Sequence, residues 1–137
     1  MATMTQSFLM SLLDLQPSQL YISSEKLAAV QRTVDFSVSE AMAPLPVRPL
    51  GDRVVLTDGR TRGLAAFLAG LTCVPVSWDT DELDWEAYRI CVDWCTEEGI
   101  KSVADLRDRV VGPDAHEELW GRRCREMHRR LAEERRP

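Results

Sequence analysis

Hydrophobic and polar positions change rhythm along this chain, and the sharpest change lies near its middle. In "RVVLT", residues 53–57, Val54, Val55 and Leu56 stand in a row between Gly51 and Gly59, the pattern of a strand buried on both faces. From Thr61 to Ala69 the residues are strong helix formers, and Gly70 sits where a left-handed C-terminal cap is placed. A strand therefore runs directly into a helix, with Asp58, Arg60 and Arg62 at the join.

Upstream, "LQPSQLYIS" predicts a short first strand over Leu20, Tyr21 and Ile22. Ser23 or Ser24 can cap the helix that follows, in which Leu27, Val30 and Val34 recur at helical spacing and Glu25 occupies the first turn. "SEAMAPLPVRPLGD" holds three of the seven prolines, which excludes a continuous helix and predicts a loop with an extended piece around Val47. "TCVPVSW" reads as a further strand that tolerates Pro75 only at an edge or bulge.

The second half has helical rhythm. "DTDELDWEAYRICVDWCTEEGI" carries Trp85, Tyr88, Val92 and Cys95 at spacings of three and four and stops at Gly99. "SVADLRDRVV" predicts a shorter helix with Ser102 as cap and Asp105 three positions later. After Gly112-Pro113, "DAHEELWGRRCREMHRRLAEE" carries Leu119, Cys124, Met127 and Leu131 as its apolar positions, with Gly121 as its weak point. The predicted class is α+β: a small mixed sheet with helices, followed by a helical C-terminal part.

At 137 residues and 45% hydrophobic composition the chain is sized for one domain, residues 1–137, with a core at 15–78 and a helical extension at 79–137. No apolar run approaches the roughly 18 residues that cross a bilayer. Residues 1–13 have neither a basic start nor a small-residue cleavage site, so no membrane association and a cytoplasmic location are expected. The net charge of -5 conceals an asymmetry: residues 121–136 carry seven arginines against three glutamates, or +4, which leaves -9 for residues 1–120. An arginine-rich helix of this kind can contact DNA or an acidic partner, or form a solvated face with Glu126, Glu133 and Glu134 interspersed.

Cys91, Cys95, Cys124 and His128 could supply a zinc set by spacing, but cysteines acting as small buried hydrophobes suit this chain better, and no metal site is expected. His116 and His128 lie in no nucleophile motif and read as surface residues. The acids Asp79, Asp81, Glu82, Asp84 and Glu86 suit a helix N-terminus better than a magnesium site. Trp78, Trp85, Trp94 and Trp120 suit packing better than base stacking.

The chemistry concentrates at "DGRTR", residues 58–62. A helix that starts directly after a strand presents unpaired N–H groups and the positive end of its dipole, a ready anion site. Gly59 allows close backbone approach, Thr61 offers a hydroxyl, and Arg60 and Arg62 offer forked donors that match phosphate oxygens. Asp58 repels phosphate unless magnesium lies between them or the carboxylate takes a proton from an attacking hydroxyl. The plainer alternative is a turn, with Asp58 or Thr61 capping the helix and Arg62 paired to an acid.

The run "LTDGRTRGLAAFLAG", preceded by "PSQLYIS" and a helix and followed by "VPVSW", resembles the ParB/sulfiredoxin-like family, including its ParB-like nuclease domain, over about residues 15–78. In that family a strand ending in glycine leads to a motif whose final arginine lies at a helix N-terminus, where nucleotide phosphate binds. Gly59 and Arg62 match what most branches share. Asp58, Gly59, Thr61 and Arg62 match the "DGHTR" version found in branches that include free-serine kinases. Arg60 departs: that version has histidine there, and sulfiredoxins have their reactive cysteine, which excludes their sulfinic-acid repair. The helices after residue 84 are too few and too acidic for the helix-turn-helix domain of chromosome-partitioning relatives.

The resemblance implies a nucleotide such as ATP, ADP or CTP, or another phosphorylated small molecule, held by Gly59, Thr61 and Arg62, with Arg60 joining them by its own forked donors. The chemistry of Asp58 beside phosphate makes magnesium the candidate companion ion and Asp58 a candidate catalytic carboxylate for phosphotransfer or phosphoester chemistry, and the analogy with serine kinases adds Glu25 as a candidate base. The alternative is a noncatalytic module that contacts DNA or protein.

Overall fold

The computed structural model describes residues 6–38 and 42–137. Residues 1–5 of the stretch read for a leader, and residues 39–41 of the proline-rich loop, lie outside the described residues. Strand β1 is Phe8–Ser11, β2 Leu15–Gln16, β3 Ile22–Ser23, β4 Leu45–Leu50, β5 Arg53–Leu56, β6 Cys73–Trp78 and β7 Val110–Val111. The helices are α1 Ser24–Thr33, α2 Arg60–Leu68, α3 Trp85–Glu97, α4 Pro113–His116 and α5 Arg122–Glu134. The class is α+β, as the periodicity predicts.

Five strands form a mixed sheet in the order β1-β6-β4-β5-β2, and β3 pairs with β7 in a separate two-stranded ribbon. In the main sheet β1/β6 and β4/β5 are antiparallel, whereas β4/β6 and β2/β5 are parallel. β5 lies inside the sheet as expected, with Val55 and Leu56 fully buried.

Several expectations need correction or sharpening. The extended piece expected around Val47 in the proline-rich segment is β4, which spans six residues and lies between two neighbours rather than in a loop. Pro46 accepts the Thr57 N–H through its carbonyl, and Val47 accepts that of Asp79. Pro49 has the parity of Val47 but lies beyond Val47↔Trp78, the last pair with β6, so its missing N–H removes no ladder bond. Pro75 is likewise not on an edge, because β1 covers β6. The Leu12 N–H bond to the Thr72 carbonyl sets the parity, which turns Pro75 toward β4 one step before Leu45↔Val76 opens that ladder.

The first predicted strand shrinks to β3 and joins β7 rather than the main sheet. The helix expected from Ser102 is a 3-10 segment, Val103–Arg109, that runs into β7. Its predicted cap is present, with the Asp105 carboxylate accepting from the Ser102 N–H at 3.1 Å.

Helices α4 and α5 are joined by a π turn at Glu117–Gly121. Of the apolar positions here Leu119 is exposed, whereas Trp120 is buried, in keeping with the packing role expected of it. Leu119 is five residues before Cys124 and off its face, whereas Trp120 is four before it and continues through Met127 and Leu131.

Two apolar clusters share α2. Leu64 and Ala65 pack with Leu20, Ile22 and Leu27 and with Ala87, Cys91, Cys95, Trp120, Met127 and Leu131 from the second half. Ala66 packs with Leu15, Leu45, Val47, Leu56, Val74 and Val76 under the sheet. Burial of each such leucine or valine is worth about 1.5–3 kcal/mol. The helix that opens with "RTR" is therefore clamped on two sides, which fixes where its N-terminus points.

Candidate functional site

The site starts where β5 ends. Thr57 is buried, its hydroxyl bonded to the Asp79 carboxylate at 2.6 Å and its N–H to the Pro46 carbonyl. Asp58 is exposed, and its carboxylate accepts the N–H of the next residue, Gly59, at 2.8 Å. Gly59 has φ 72° and stands as the N-cap of α2. The first intrahelical bond runs from the Gly63 N–H to the Gly59 carbonyl at 2.9 Å, and among the described residues no side chain caps the first turn. The N–H groups of Arg60, Thr61 and Arg62 are the ones that α-helical geometry leaves over.

These groups border a cavity of about 420 Å³ between α1 and α2. Its lining includes Asp58, Gly59, Arg60, Thr61 and Arg62, the five residues of the motif, together with Gln19, Lys26, Ala29 and Val30. Three cations, Lys26, Arg60 and Arg62, therefore face one carboxylate, Asp58. Gln19 and Lys26 carry no signal in the sequence that separates them from ordinary polar residues. Only the packing of α1, and of the segment before β3, beside α2 brings them in.

The two arginines are positioned differently. Arg62 turns back over Gly59 and donates to the Ala43 carbonyl at 3.2 Å. Arg60 turns inward: Nε and Nη2 donate to Gln19 Oε1 at 3.2 and 2.9 Å, and Nη1 donates to the Thr57 carbonyl at 2.7 Å. Tyr88 Oη donates to that same carbonyl at 2.8 Å. Burial raises the Tyr88 pKa, with the Arg60 charge working against the rise. Arg60 also lines a second cavity, about 260 Å³, between α3 and α5. Glu25 is exposed in the first turn of α1 and is not among the residues lining the cavity at α2, where its neighbour Lys26 stands instead.

His116 lies 3.4 Å from the Gln19 amide nitrogen. Burial, then the Lys26 charge, lowers its pKa from the ordinary 6.5. A depressed histidine favours the unfolded chain on protonation, so its contribution to stability is complete above 6.5 and is lost as the pH falls below it. His116→Gln is expected to flatten the acid limb of stability, measured by urea unfolding at stepped pH. Parallel pH profiles for the two proteins would reject this.

Other groups have structural partners. Asp84 caps α3 by accepting from the Ala87 N–H, and Arg135 pairs with both Asp84 and Glu86 at 2.9 and 2.8 Å. The bond from Arg135 lowers the Asp84 pKa. In the C-terminal helix Arg122 pairs with Glu118, Arg123 with Glu98 and Arg125 with Glu117, so four of the tail's seven arginines are in ion pairs. Trp94 meets Trp120 edge-on with Arg123 over its ring, and Trp78 packs on Phe8. Among the described residues no group of three or more His, Cys, Asp or Glu converges as a metal site. None of the helices in those residues is long and apolar enough to cross a membrane.

Fold and site together define an α+β protein with an uncapped, cation-rimmed helix start. No protein-family model matches the chain, and no curated protein does. Among solved structures, protein Atu1540 from Agrobacterium tumefaciens is similar over 75% of this chain at 16% identity with a TM-score of 0.49. The chain spans 62% of that protein's length. Function is therefore argued from the site itself.

Proposed function

We propose that the cavity at the start of α2 binds the phosphate of a nucleotide or another phosphorylated small molecule. The observation that carries this reading is the convergence of the uncapped first turn of α2 with Lys26 and Arg62 on one cavity of about 420 Å³. The backbone N–H groups and helix dipole supply directed donors, and the two side chains supply charge. Arg60 keeps its guanidinium on Gln19 and Thr57 and contributes field and support more than direct grip. The reading agrees with a ParB/sulfiredoxin-like assignment, which we propose with it.

Asp58 is the carboxylate at the cavity rim, and Glu25 lies outside the lining, so phosphotransfer or phosphoester chemistry would use Asp58 as base or magnesium ligand. A single carboxylate completed by substrate phosphates and water suits magnesium, which dehydrates reluctantly. A DNA-contacting role for the arginine-rich helix has less support, because most of that charge is paired within the chain.

Calorimetric titration with ATP, ADP, CTP and GTP, with and without magnesium, tests the reading. Binding by at least one is expected, with Arg62→Ala or Lys26→Ala weakening it about tenfold, as for loss of one charge-assisted bond. Silence with all four nucleotides and with inorganic phosphate, unchanged by either substitution, would overturn it.

A further inference from the structure

The cavity between α3 and α5 lies on the opposite side of Arg60 and contains chemistry that phosphate binding does not use. Its wall includes Arg60, Tyr88, Cys91, Cys124 and His128. Cys91, from α3, is 8% exposed, and Cys124, from α5, is half-buried. Both cysteines line this cavity and pack in the same apolar cluster, and each shifts the titration of the other. The Arg60 guanidinium is fixed beside them by three hydrogen bonds, and Arg123 and Arg125 add positive charge from α5.

We propose that Cys91 and Cys124 form a peroxide-reactive dithiol that opens on this cavity and closes reversibly to a disulfide. Cys124 is the attacking sulfur. It is the more accessible of the pair, and Cys91 together with the nearby arginines lowers its pKa, so the first proton leaves from Cys124. Cys124 and burial raise the Cys91 pKa, so Cys91 stays a thiol until its partner is oxidised.

The reaction balances with hydrogen peroxide as the oxidant. The Cys124 thiolate sulfur attacks one peroxide oxygen and the O–O bond breaks. The released hydroxide takes up a proton and leaves as water, and Cys124 becomes a sulfenic acid. The Cys91 sulfur then attacks the Cys124 sulfur as its own proton is lost, the S–O bond breaks, and the second oxygen leaves as water. Two thiols and one peroxide give one disulfide and two waters, each sulfur losing one electron. Disulfide closure needs the sulfurs about 2.05 Å apart, and the adjoining cavity provides room for that approach. Cys95 is unsuited to the same role, being fully buried with a thiol pKa pushed up to about 12 by burial.

The inference does not depend on phosphate binding, and its test has its own readout. The full chain carrying Cys73→Ser, which removes the exposed thiol, is treated with hydrogen peroxide, then analysed by intact mass, thiol count and peptide mapping. Expected is the loss of two hydrogens and of two of the three remaining thiols, one Cys91–Cys124 peptide, and full recovery with a dithiol reductant. Cys91→Ser should stop at a sulfenic acid that dimedone traps on Cys124, and Cys124→Ser should give no adduct on Cys91. Wild-type protein analysed in parallel keeps the test independent of how the variants fold. Both thiols intact after treatment, a pairing that involves Cys95, crosslinked chains, or irreversible oxidation of Cys124 without a disulfide would each overturn it.

Discussion

Leu64→Ala is expected to lower the unfolding free energy by about 3 kcal/mol, the usual cost of emptying a fully enclosed leucine site. Leu64 is fully buried on α2, against Leu20, Ile22 and Leu27 from the first half and Trp120, Met127 and Leu131 from the second. The surrounding groups come from elements distant in sequence that are held by separate contacts, so they cannot all collapse into the void. Leu68→Ala, on the same helix but 46% exposed, serves as the control and should cost well under half as much. Urea unfolding of both variants measures the difference. Equal losses would mean that α2 does not pack by the face described. Because α2 also carries the turn proposed to hold phosphate, that proposal predicts weaker nucleotide binding by a loosened Leu64→Ala protein without any change at residues 58–62.

The local determinants of α2 were open to reading in the sequence, because each acts within a few residues. Strand β5, the join at Gly59, Ser23 and Asp84 as caps, and the ends of α2 and α3 near Gly70 and Gly99 all depend on neighbours in the chain. Features set by partners far away were not open to it. Pro46, Pro49 and Pro75 argue against interior strands until the parity of each ladder is known, and parity comes from pairings such as Thr57 to Pro46 and Leu12 to Thr72. Strand β1 looks like a structureless apolar patch because Leu9 is 71% exposed, and β6 alone makes it a strand.

The site divides in the same way. Asp58, Gly59, Thr61 and Arg62 could be placed at a helix start from their order. The inward turn of Arg60 could not, since it depends on Gln19 and on the Thr57 carbonyl. Lys26 reaches the cavity while the adjacent Glu25 does not, a distinction set by the angle of α1 on α2. Cys91 and Cys124 could be taken as small core residues from their spacing, and only the packing of α3 on α5 brings both to one cavity.

Gly59→Ala is expected to cost about 2–3 kcal/mol and to abolish the proposed phosphate binding, and a paired substitution separates the two causes of the stability loss. At φ 72° any side chain meets the left-handed penalty, roughly 1 kcal/mol for alanine. A Cβ there would also lie 2.8 Å from Leu45 Cδ2 and 2.8 Å from Arg62 Nη2. Arg62 can swing away, at the cost of its place over the turn, but Leu45 is fully buried under the sheet and has nowhere to go. Gly51, in the β4–β5 turn, has φ 62° with nothing within 4 Å of its Cβ position. Gly51→Ala therefore meets the backbone penalty alone, and the excess loss in Gly59→Ala reports the Leu45 contact. Urea unfolding gives both losses, and calorimetry with the best-bound nucleotide should show wild-type affinity for Gly51→Ala and none for Gly59→Ala. Equal stability losses would remove the Leu45 clash from the account, and retained binding by Gly59→Ala would place the ligand away from the turn.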